Sequence, residues 1–572
     1  MLAGVLVCLY PALVKSVRGV NLVTIEVTTP VRSAVLDEAH VGDIRGALGT
    51  IRVDDYAART TMSAKFKTLL AVVGPGLIVM IGDNDAGAFS TYGQAGQDYG
   101  TRLLWTLLLL IPVLYVNQEM VLRLGSVTGV GHARLILGRF GKFWGAFSVI
   151  DLFILNALTI VTEFIGITLA AGYLGLPKWV AVVGAALVII ASAFTGSFRR
   201  FERIAITFCA GSVLLSPRYL LAHPSGAQMA RGFAVPGLPG GPGGMAAVML
   251  LIIGIVGTTV APWQLFFQQS YVIDKRITPR FMRYEKADLW IGIVIVVLGA
   301  AALMGATAAA FAGTKGAGNF TDADGLAHGI AAYAGHLAGI IFAIALLDAA
   351  VIGAFAVSLS SAYAIGDVMG MNHSLHRGVR QAKGFYVVYT ALIGGAAAIV
   401  LIPGAPLGLI IEGVQVLAGV LLPSATVFLL LLCNDREVLG PWVNRRGTNA
   451  FTGAVIAVLI TLSVVLTASV VFPKITGSQI VAIMAGCAVA AVVAGVGLVI
   501  RAGRGGQGTG TAMTEADFAG VDRMTWRMPP LSELSAPAIT GARKVGLMAL
   551  RGYLAVALIM VIVKLVLLAT AH

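Results

Sequence analysis

The chain has 572 residues, of which 58% are hydrophobic and only 12% are charged, and its mean hydropathy is +0.89. So much apolar surface excludes an ordinary soluble protein. The net charge is +13, but Lys and Arg lie in short clusters between apolar runs, which is typical of a membrane protein and excludes a nucleic-acid surface. The four cysteines have no paired spacing, so we predict neither a disulfide framework nor a metal cluster. They are Cys8, Cys209, Cys433 and Cys487.

The first 66 residues predict a cytoplasmic tail. The apolar run at 2–14 is too short for a clear span, and it lacks the basic start of a signal peptide. Residues 15–66 are mixed and polar, so we expect them to be disordered. Met62 begins the basic sequence "MSAKFK" before the first apolar run, which makes it an alternative translation start.

Thirteen apolar runs then predict membrane-spanning helices. They lie at roughly 67–97, 101–122, 144–173, 177–196, 201–222, 243–270, 287–313, 337–367, 384–403, 407–433, 450–472, 478–500 and 546–569. We expect a first repeat at 67–222, a second repeat at 243–433 and additional helices at 450–500. A cytoplasmic linker is expected at 501–545, before the last span.

Basic residues define the predicted topology. Lys and Arg cluster after spans two, four, six, eight, ten and twelve, whereas the loop after span seven, "GNFTDADG", is acidic. Cytoplasmic loops of membrane proteins are enriched in Lys and Arg. We therefore expect the basic loops and the N-terminus to face the cytoplasm, with the C-terminus outside.

Two of the predicted spans are interrupted. Span one contains "GPGLIVMIGDNDAGAF" and span six contains "IIGIVGTTVAPWQLFF". The two are five spans apart, so they cross the membrane in opposite directions. Paired broken helices in two inverted halves indicate a transporter site at the midplane. The alternative is that each Gly or Pro produces only a kink.

These residues also carry a family likeness. The stretch from "GPGLIVMIGDNDAGAF" to "LLW" resembles the first two helices of the NRAMP divalent-metal transporters. "VTEFIG" at 161–166, "APWQL" at 261–265 and "QVLAGVLLP" at 415–423 resemble further helices of that family. The likeness covers roughly residues 67–435. It implies an all-α, polytopic membrane protein with a LeuT-like five-plus-five inverted repeat, broken helices 1 and 6, and extra C-terminal helices.

The departures from the family pattern lie in the two breaks. The family motif Asp-Pro-Gly-Asn becomes Asp85-Ala86-Gly87-Ala88, so its asparagine ligand is replaced by alanine. The motif Met-Pro-His-Asn becomes Ala261-Pro262-Trp263-Gln264, which removes the methionine and the histidine. These changes resemble the NRAMP-related magnesium transporters, a prokaryotic branch of the same superfamily.

The replaced residues alter the expected ion. Thioether ligands favour transition metals, and Ala261 removes the one soft donor at that position. Mg²⁺ keeps several waters and uses one or two carboxylates, so a roomier site with fewer direct ligands suits it. We expect Asp85 to be the anionic ligand at a site that Ala88 and Ala261 leave open. The resemblance adds the carbonyls near Gly82 and Thr258, and Gln264 and Gln415 are expected to bind the ion or its waters.

Other polar residues beside the breaks have alternative roles. Asp83 and Asn84 either cap the interrupted helix or bind in an outer shell. Trp263, Glu163 and Glu412 are further candidates for the outer shell or the ion pathway. Intramembrane acids are functional suspects by default, but Asp348 is equally consistent with a buried pairing, and Glu119 is expected to pair with Arg123 at i+4.

The proton relay of the family is incomplete in this sequence. Glu163 matches the family's third-helix glutamate, but Ile160 replaces the acid three residues earlier. We expect every histidine to lie in a loop or terminus, which leaves no near-neutral titrating group in a span. The eight are His40, His132, His223, His328, His336, His373, His376 and His572. The hypothesis is transport without proton coupling.

Three functions are therefore compared. The first is an importer of Mg²⁺ and also Mn²⁺, and the second is a proton-coupled Mn²⁺/Fe²⁺ importer. The third, a membrane enzyme or a metal sensor, finds no nucleophile–base set, nucleotide loop or sizeable soluble domain in the sequence. We expect a monomer in the plasma (inner) membrane of a prokaryote, with the cation as substrate, no cofactor and no nucleic-acid partner.

Overall fold

The structure is a computed structural model that describes residues 38–215, 223–240, 244–403, 407–472, 475–503, 518, 520–535 and 552. These residues are mostly helical. The first half contains α1 (Met62–Val72), α2 (Pro75–Gly82), α3 (Ala86–Tyr99), α4 (Trp105–Thr128), α5 (His132–Phe140), α6 (Lys142–Tyr173), α7 (Lys178–Ala193) and α8 (Phe198–Leu215).

The second half and its C-terminal extension follow the same pattern. They contain α9 (Gly226–Ala234), α10 (Gly244–Thr259), α11 (Pro262–Asp274), α12 (Met282–Phe311), α13 (Ala323–Ala334), α14 (His336–Met369), α15 (Lys383–Val400), α16 (Leu407–Cys433), α17 (Arg436–Leu439), α18 (Arg446–Val471) and α19 (Gly477–Gly503). Four single 3₁₀ turns lie at Glu38–His40, Pro279–Phe281, Gly440–Trp442 and Leu531–Glu533.

Each of the first twelve predicted spans overlaps one helix or more, and span one overlaps three, α1, α2 and α3. Over the described ranges, nine helical segments are long and apolar enough to cross a membrane, and ten if the bent pair α1 and α2 forms one span. The chain is therefore a multi-pass membrane protein. The predicted span at 546–569 apart from residue 552, the run at 2–14 and the Gly-rich stretch after Gly503 lie outside the described residues.

The first predicted break lies between α2 and α3. Asp85 has extended backbone angles, φ −78° and ψ −172°, and its side chain accepts a hydrogen bond from the Ala88 amide at 2.9 Å, which caps α3. A second change of direction, by 53°, separates α1 from α2 at Val73–Gly74. Gly74 has φ +155°, a backbone conformation that only glycine adopts readily.

The second predicted break lies between α10 and α11. Pro262 begins α11 and has no amide to continue the hydrogen bonds of α10, while Ala261 before it is extended with φ −92° and ψ 145°. Helix α12 packs along α2 and α3, and α16 packs along α10. Both interrupted helices thus lie inside the bundle, where unpaired backbone groups are shielded from lipid.

Part of the predicted disordered tail is ordered. Strands β1 (Ile44–Arg45) and β2 (Thr50–Ile51) form an antiparallel hairpin, and Ile44 and Ile51 are buried. The Ala47 amide donates to Glu202 Oε2 at 2.5 Å, which ties the hairpin to α8. The prediction of disorder is therefore wrong for residues 38–61, because these long-range contacts have no local pattern in the sequence. Residues 1–37 lie outside the described part of the chain.

The predicted linker is also packed where it is described. Residues 501–503 continue α19. In the segment 520–535, the Arg523 guanidinium lies 3.8 Å from the centroid of the Trp442 ring, and the Trp442 indole donates to the Arg523 carbonyl at 2.7 Å. Met528 is fully buried, and Arg527 donates to the Ser126 carbonyl. This segment therefore packs against the C-terminal end of α4 and against the Gly440–Trp442 turn.

Candidate cation-binding site

The two breaks leave two backbone carbonyls without their helical partners. In a continuous helix, Gly82 O would accept from the Ala86 amide, but that amide donates to Glu163 Oε2 at 3.1 Å. Thr258 O would accept from residue 262, which is proline and has no amide. Carbonyl oxygens released in this way are ligands that hard cations use in proteins. Both predicted backbone ligands are thus placed at breaks.

Asp85 lies at the first break and is only 3% exposed. Its Oδ1 accepts from the Ala88 amide, so one oxygen caps α3. Ala88 is fully buried and offers a methyl group where an asparagine would carry a side-chain oxygen. Asp85 therefore provides the helix cap and, at the same position, a carboxylate directed at the interrupted segment.

Asp83 and Asn84 do not cap the N-terminus of α3, a role that Asp85 takes, but Asp83 is the C-cap residue of α2. Asp83 is fully buried and its Oδ1 accepts from Gln264 Nε2. Asn84 donates to the Val296 carbonyl on α12 at 3.2 Å. The break directs these two side chains to different neighbouring helices, because successive residues in a non-helical turn diverge.

Glu163 on α6 lies beside Asp85. Its Oε2 accepts from the Ala86 amide, and it is fully buried. A Cβ placed on Gly353 would lie 2.7 Å from the Glu163 carboxyl carbon and 2.9 Å from Asp85 Cβ, so the two acids flank the same glycine of α14. Glu163 thus positions the N-terminus of α3 and brings a second carboxyl group to the site.

Gln415 on α16 reaches both broken helices. Its side-chain amide lies where a Cβ on Gly87 would be, and its backbone oxygen lies where a Cβ on Gly257 would be. Glycine at both positions therefore allows α16 to approach α3 and α10. Glu412 lies on the same helix, and its side chain is outside the described part.

Gln264 is close to Asp83 rather than free for an ion. Its Nε2 donates to Asp83 Oδ1, and its Oε1 accepts from Gln118 Nε2 at 3.0 Å. Gln118 was not predicted to lie near the site. The signal for it is a pair of adjacent amides, Asn117 and Gln118, within an otherwise apolar span. The structure thus places Gln264 in a side-chain network next to the site.

Trp263 and Ala261, which we expect to replace a histidine and a methionine, lie at the second break. Trp263 is buried, and a Cβ on Gly82 would lie 3.6 Å from its ring. The Trp263 carbonyl accepts from Ser360 at 2.9 Å. Ala261 is 5% exposed and carries no donor side chain. The indole therefore lies beside Gly82 at the first break.

Two other acids of the long helices, Asp348 and Glu119, have local partners. Asp348 accepts from Ser212 at 2.6 Å. Glu119 pairs with Arg123 at 3.2 Å, as predicted, and with Lys286 at 2.9 Å. In the described ranges no three His, Cys, Asp or Glu side chains converge as metal ligands. A cation at the breaks would therefore depend on few carboxylates together with carbonyl and amide oxygens.

Histidine placement differs from the sequence prediction. His132 begins α5 and His328 lies within α13, because these short helices between the spans are too polar to be predicted, and His336 begins α14, one residue before the predicted span at 337–367. Burial lowers the pKa of His132, which lies outside the spanning helices, to about 4, so it stays neutral near pH 7. Seven of the eight histidines are described, and none lies at the breaks; His572 is outside the described part.

A buried polar cluster at the basic, predicted cytoplasmic end was not expected. Asp274 accepts from Ser374 at 2.5 Å and Tyr363 at 2.6 Å, beside a cavity of about 230 Å³. His373 Nε2 lies 3.1 Å from Asp367 Oδ1. Burial opposes the charged imidazole, but the Asp367 carboxylate outweighs burial and raises the pKa of His373 to about 9. The loop after α14 is therefore held by an ion pair at neutral pH.

Comparison with known proteins places the chain among membrane transporters. Residues 76–469 match the family described as natural resistance-associated macrophage protein-like. The divalent metal cation transporter MntH of Burkholderia ambifaria is 28% identical over 440 residues, which cover 73% of this chain and 92% of that protein. MntH of Chromohalobacter salexigens is 27% identical over 458 residues, covering 76% and 99%.

Solved structures agree on the fold. A variant of the manganese transporter of Eremococcus coleocola has a TM-score of 0.59 and 19% sequence identity, and the alignment covers 80% of this chain and 97% of that one. The all-α fold with helices 1 and 6 broken, expected from the sequence, is therefore confirmed.

Proposed function

The chain belongs to the natural resistance-associated macrophage protein-like (NRAMP) family, and we propose that it is a secondary transporter that imports divalent cations, chiefly Mg²⁺ and also Mn²⁺. Relatives named divalent metal cation transporters support the class of substrate. The preference for Mg²⁺ rests on this chain's own residues at the two breaks. Alternating access between the two sides of the membrane would carry the ion past them.

The observation that carries this proposal is the composition of the break. Two carboxyl groups, those of Asp85 and Glu163, lie at the first break with the released carbonyl of Gly82 and the amide of Gln415, and the released carbonyl of Thr258 lies at the second break. Ala88 and Ala261 provide no side-chain donor. A dehydrated transition metal would lack its soft ligand there, whereas Mg²⁺ retains waters and needs few direct protein ligands.

Transport without proton coupling is part of the proposal. Trp263 and Ile160 replace two groups that would otherwise hold protons, and both are buried and apolar at the relevant positions. The membrane potential contributes about 2.3 kcal/mol per charge per 100 mV, and roughly twice that for a divalent cation. The potential and the ion gradient are sufficient driving forces for import.

The clusters of Lys and Arg support an orientation for this importer. We place the N-terminus and the basic loops in the cytoplasm, in the plasma membrane of a prokaryote. Residues 38–61 would then pack on the cytoplasmic ends of the helices. We further propose that the transport unit is a monomer, because both breaks and their neighbouring helices come from one chain.

Proton-coupled import of Mn²⁺ or Fe²⁺ is the second candidate. The relatives are named divalent metal cation transporters, and that class of substrate fits both candidates. Growth of a bacterial strain deficient in Mg²⁺ uptake separates the two. We expect this protein to restore growth at low Mg²⁺. Failure to restore growth, together with rescue of a Mn²⁺-uptake mutant by correctly inserted protein, would favour the second candidate.

A further inference from the structure

Three fully buried polar side chains form a line beside the first break. Gln118 on α4 donates from Nε2 to Gln264 Oε1 on α11 at 3.0 Å, and Gln264 donates from Nε2 to Asp83 Oδ1. All three side chains are 0% exposed. The line therefore joins α4, α11 and the break, which are far apart in sequence.

Asp83 and Gln118 together hold the Gln264 amide in one orientation. The Asp83 carboxylate accepts, so the Gln264 NH₂ group faces it. The Gln264 carbonyl oxygen then faces Gln118, whose NH₂ group donates to it. With both halves of its amide engaged, Gln264 offers no free oxygen to a cation in this conformation.

The two ends of the line are unpaired acceptors. Within the part of the chain that the structure describes, no donor reaches Asp83 Oδ2 or Gln118 Oε1, and both atoms are buried. A buried acceptor without a donor is costly. The water molecules of a hydrated cation orient their oxygens toward the ion and their O–H groups outward. The waters of such an ion can therefore donate hydrogen bonds to acceptors such as Asp83 Oδ2 and Gln118 Oε1.

We propose that Gln118 is a positioning residue that, through Gln264 and Asp83, forms an acceptor surface for the waters of the transported ion. This inference rests on the proposed function. Because Mg²⁺ gives up its waters more reluctantly than transition metals do, the acceptor surface favours Mg²⁺ over Mn²⁺. Gln118 contributes to selectivity without touching the metal.

The test compares Mg²⁺ and Mn²⁺ influx into proteoliposomes for the wild type, Gln118→Leu and Asn117→Leu. Asn117 is the neighbouring buried amide on α4 and serves as the matched control. We expect Gln118→Leu to lower the ratio of Mg²⁺ to Mn²⁺ influx by about tenfold, equivalent to about 1.4 kcal/mol. Asn117→Leu should leave the ratio unchanged. Gln118→Met replaces Gln118→Leu if the latter does not fold.

The possible results separate this inference from the proposed function. A wild-type protein that carries Mn²⁺ but no Mg²⁺ would overturn the proposed function and the inference with it. A wild type that carries Mg²⁺, with the same ion ratio in folded Gln118 variants, would overturn the inference alone. An equal change of the ratio in Asn117→Leu would also overturn it, because the effect would then belong to any buried amide of α4.

Discussion

The side-chain amide of Gln415 on α16 lies directly against Gly87, in the first turn of α3. This contact is possible because residue 87 has no Cβ, and it brings α16 to the break that contains Asp85. The backbone oxygen of the same glutamine lies against Gly257 on the other broken helix. One residue of α16 therefore lies against both interrupted helices.

Gly87→Ala should impair transport although it favours a helix. A Cβ at residue 87 would overlap the Gln415 amide and displace it from the break. Since misplacement of a binding group by about 1 Å costs on the order of 10²-fold, we expect a large loss of Mg²⁺ influx in proteoliposomes. Gly254→Ala is the control, because its Cβ would meet only Thr91 at an ordinary 3.6 Å. Equal influx in both variants would refute the role of this contact.

Asp85→Ala should abolish Mg²⁺ influx, because it removes the carboxylate at the break. The change also removes the cap of α3, so it does not separate charge from folding. Asp85→Asn does, because asparagine is a good helix cap and carries no charge. We expect Asp85→Asn to melt close to the wild type and still to be inactive. Influx near the wild-type rate in Asp85→Asn would remove the carboxylate from the ion's path.

Ala261→Met should move selectivity toward Mn²⁺. The substitution returns a thioether to the second break, and soft ligands favour transition metals. We expect the ratio of Mn²⁺ to Mg²⁺ influx to rise by about tenfold. Ala261→Leu has similar bulk without sulfur and should slow both ions without this shift. The same ratio in the Met and Leu variants would mean that size, not sulfur, governs this position.

Lys275→Met should destabilise the protein strongly. Lys275 and Glu202 form a fully buried pair at 2.7 Å, and Lys275 also donates to the Val73 carbonyl at 2.7 Å. Removing one partner of a buried pair typically costs about 3–5 kcal/mol, because the other charge is left unpaired. Thermal unfolding in detergent should therefore show a marked fall in the melting temperature. Adding Glu202→Gln to Lys275→Met should restore part of the lost melting temperature. If the double variant melts no higher than Lys275→Met, the unpaired Glu202 carboxylate is not the cause of the loss.

The sequence predicted those features that depend on local chemistry. Apolar length located the spans, and Pro262 and the group Asp83 to Asp85 located the breaks, because missing amides and short polar side chains interrupt a helix wherever it packs. Contacts between distant segments were not predictable. Nothing local indicates that Gln264 binds Asp83 and Gln118, or that Ala47 donates to Glu202.

The same distinction explains the corrected predictions. Residues 38–61 are polar enough to suggest disorder, yet Ile44 and Ile51 are buried, the hairpin packs on α1, and Ala47 donates to Glu202 on α8. Asp83 and Asn84 have the composition of helix caps, but Asp85 occupies the position from which a side chain reaches the α3 amides. Composition indicates which groups are available, and packing decides which of them meet.

Influx of Mg²⁺ into proteoliposomes, followed with an internal Mg²⁺ reporter together with an internal pH dye, tests the central claim most directly. With an inward-directed Mg²⁺ gradient and a negative internal potential, we expect a rise in internal Mg²⁺ without acidification, and no such rise in Asp85→Asn. Acidification that accompanies the entry of metal, or transport of Mn²⁺ with no transport of Mg²⁺, would contradict the account.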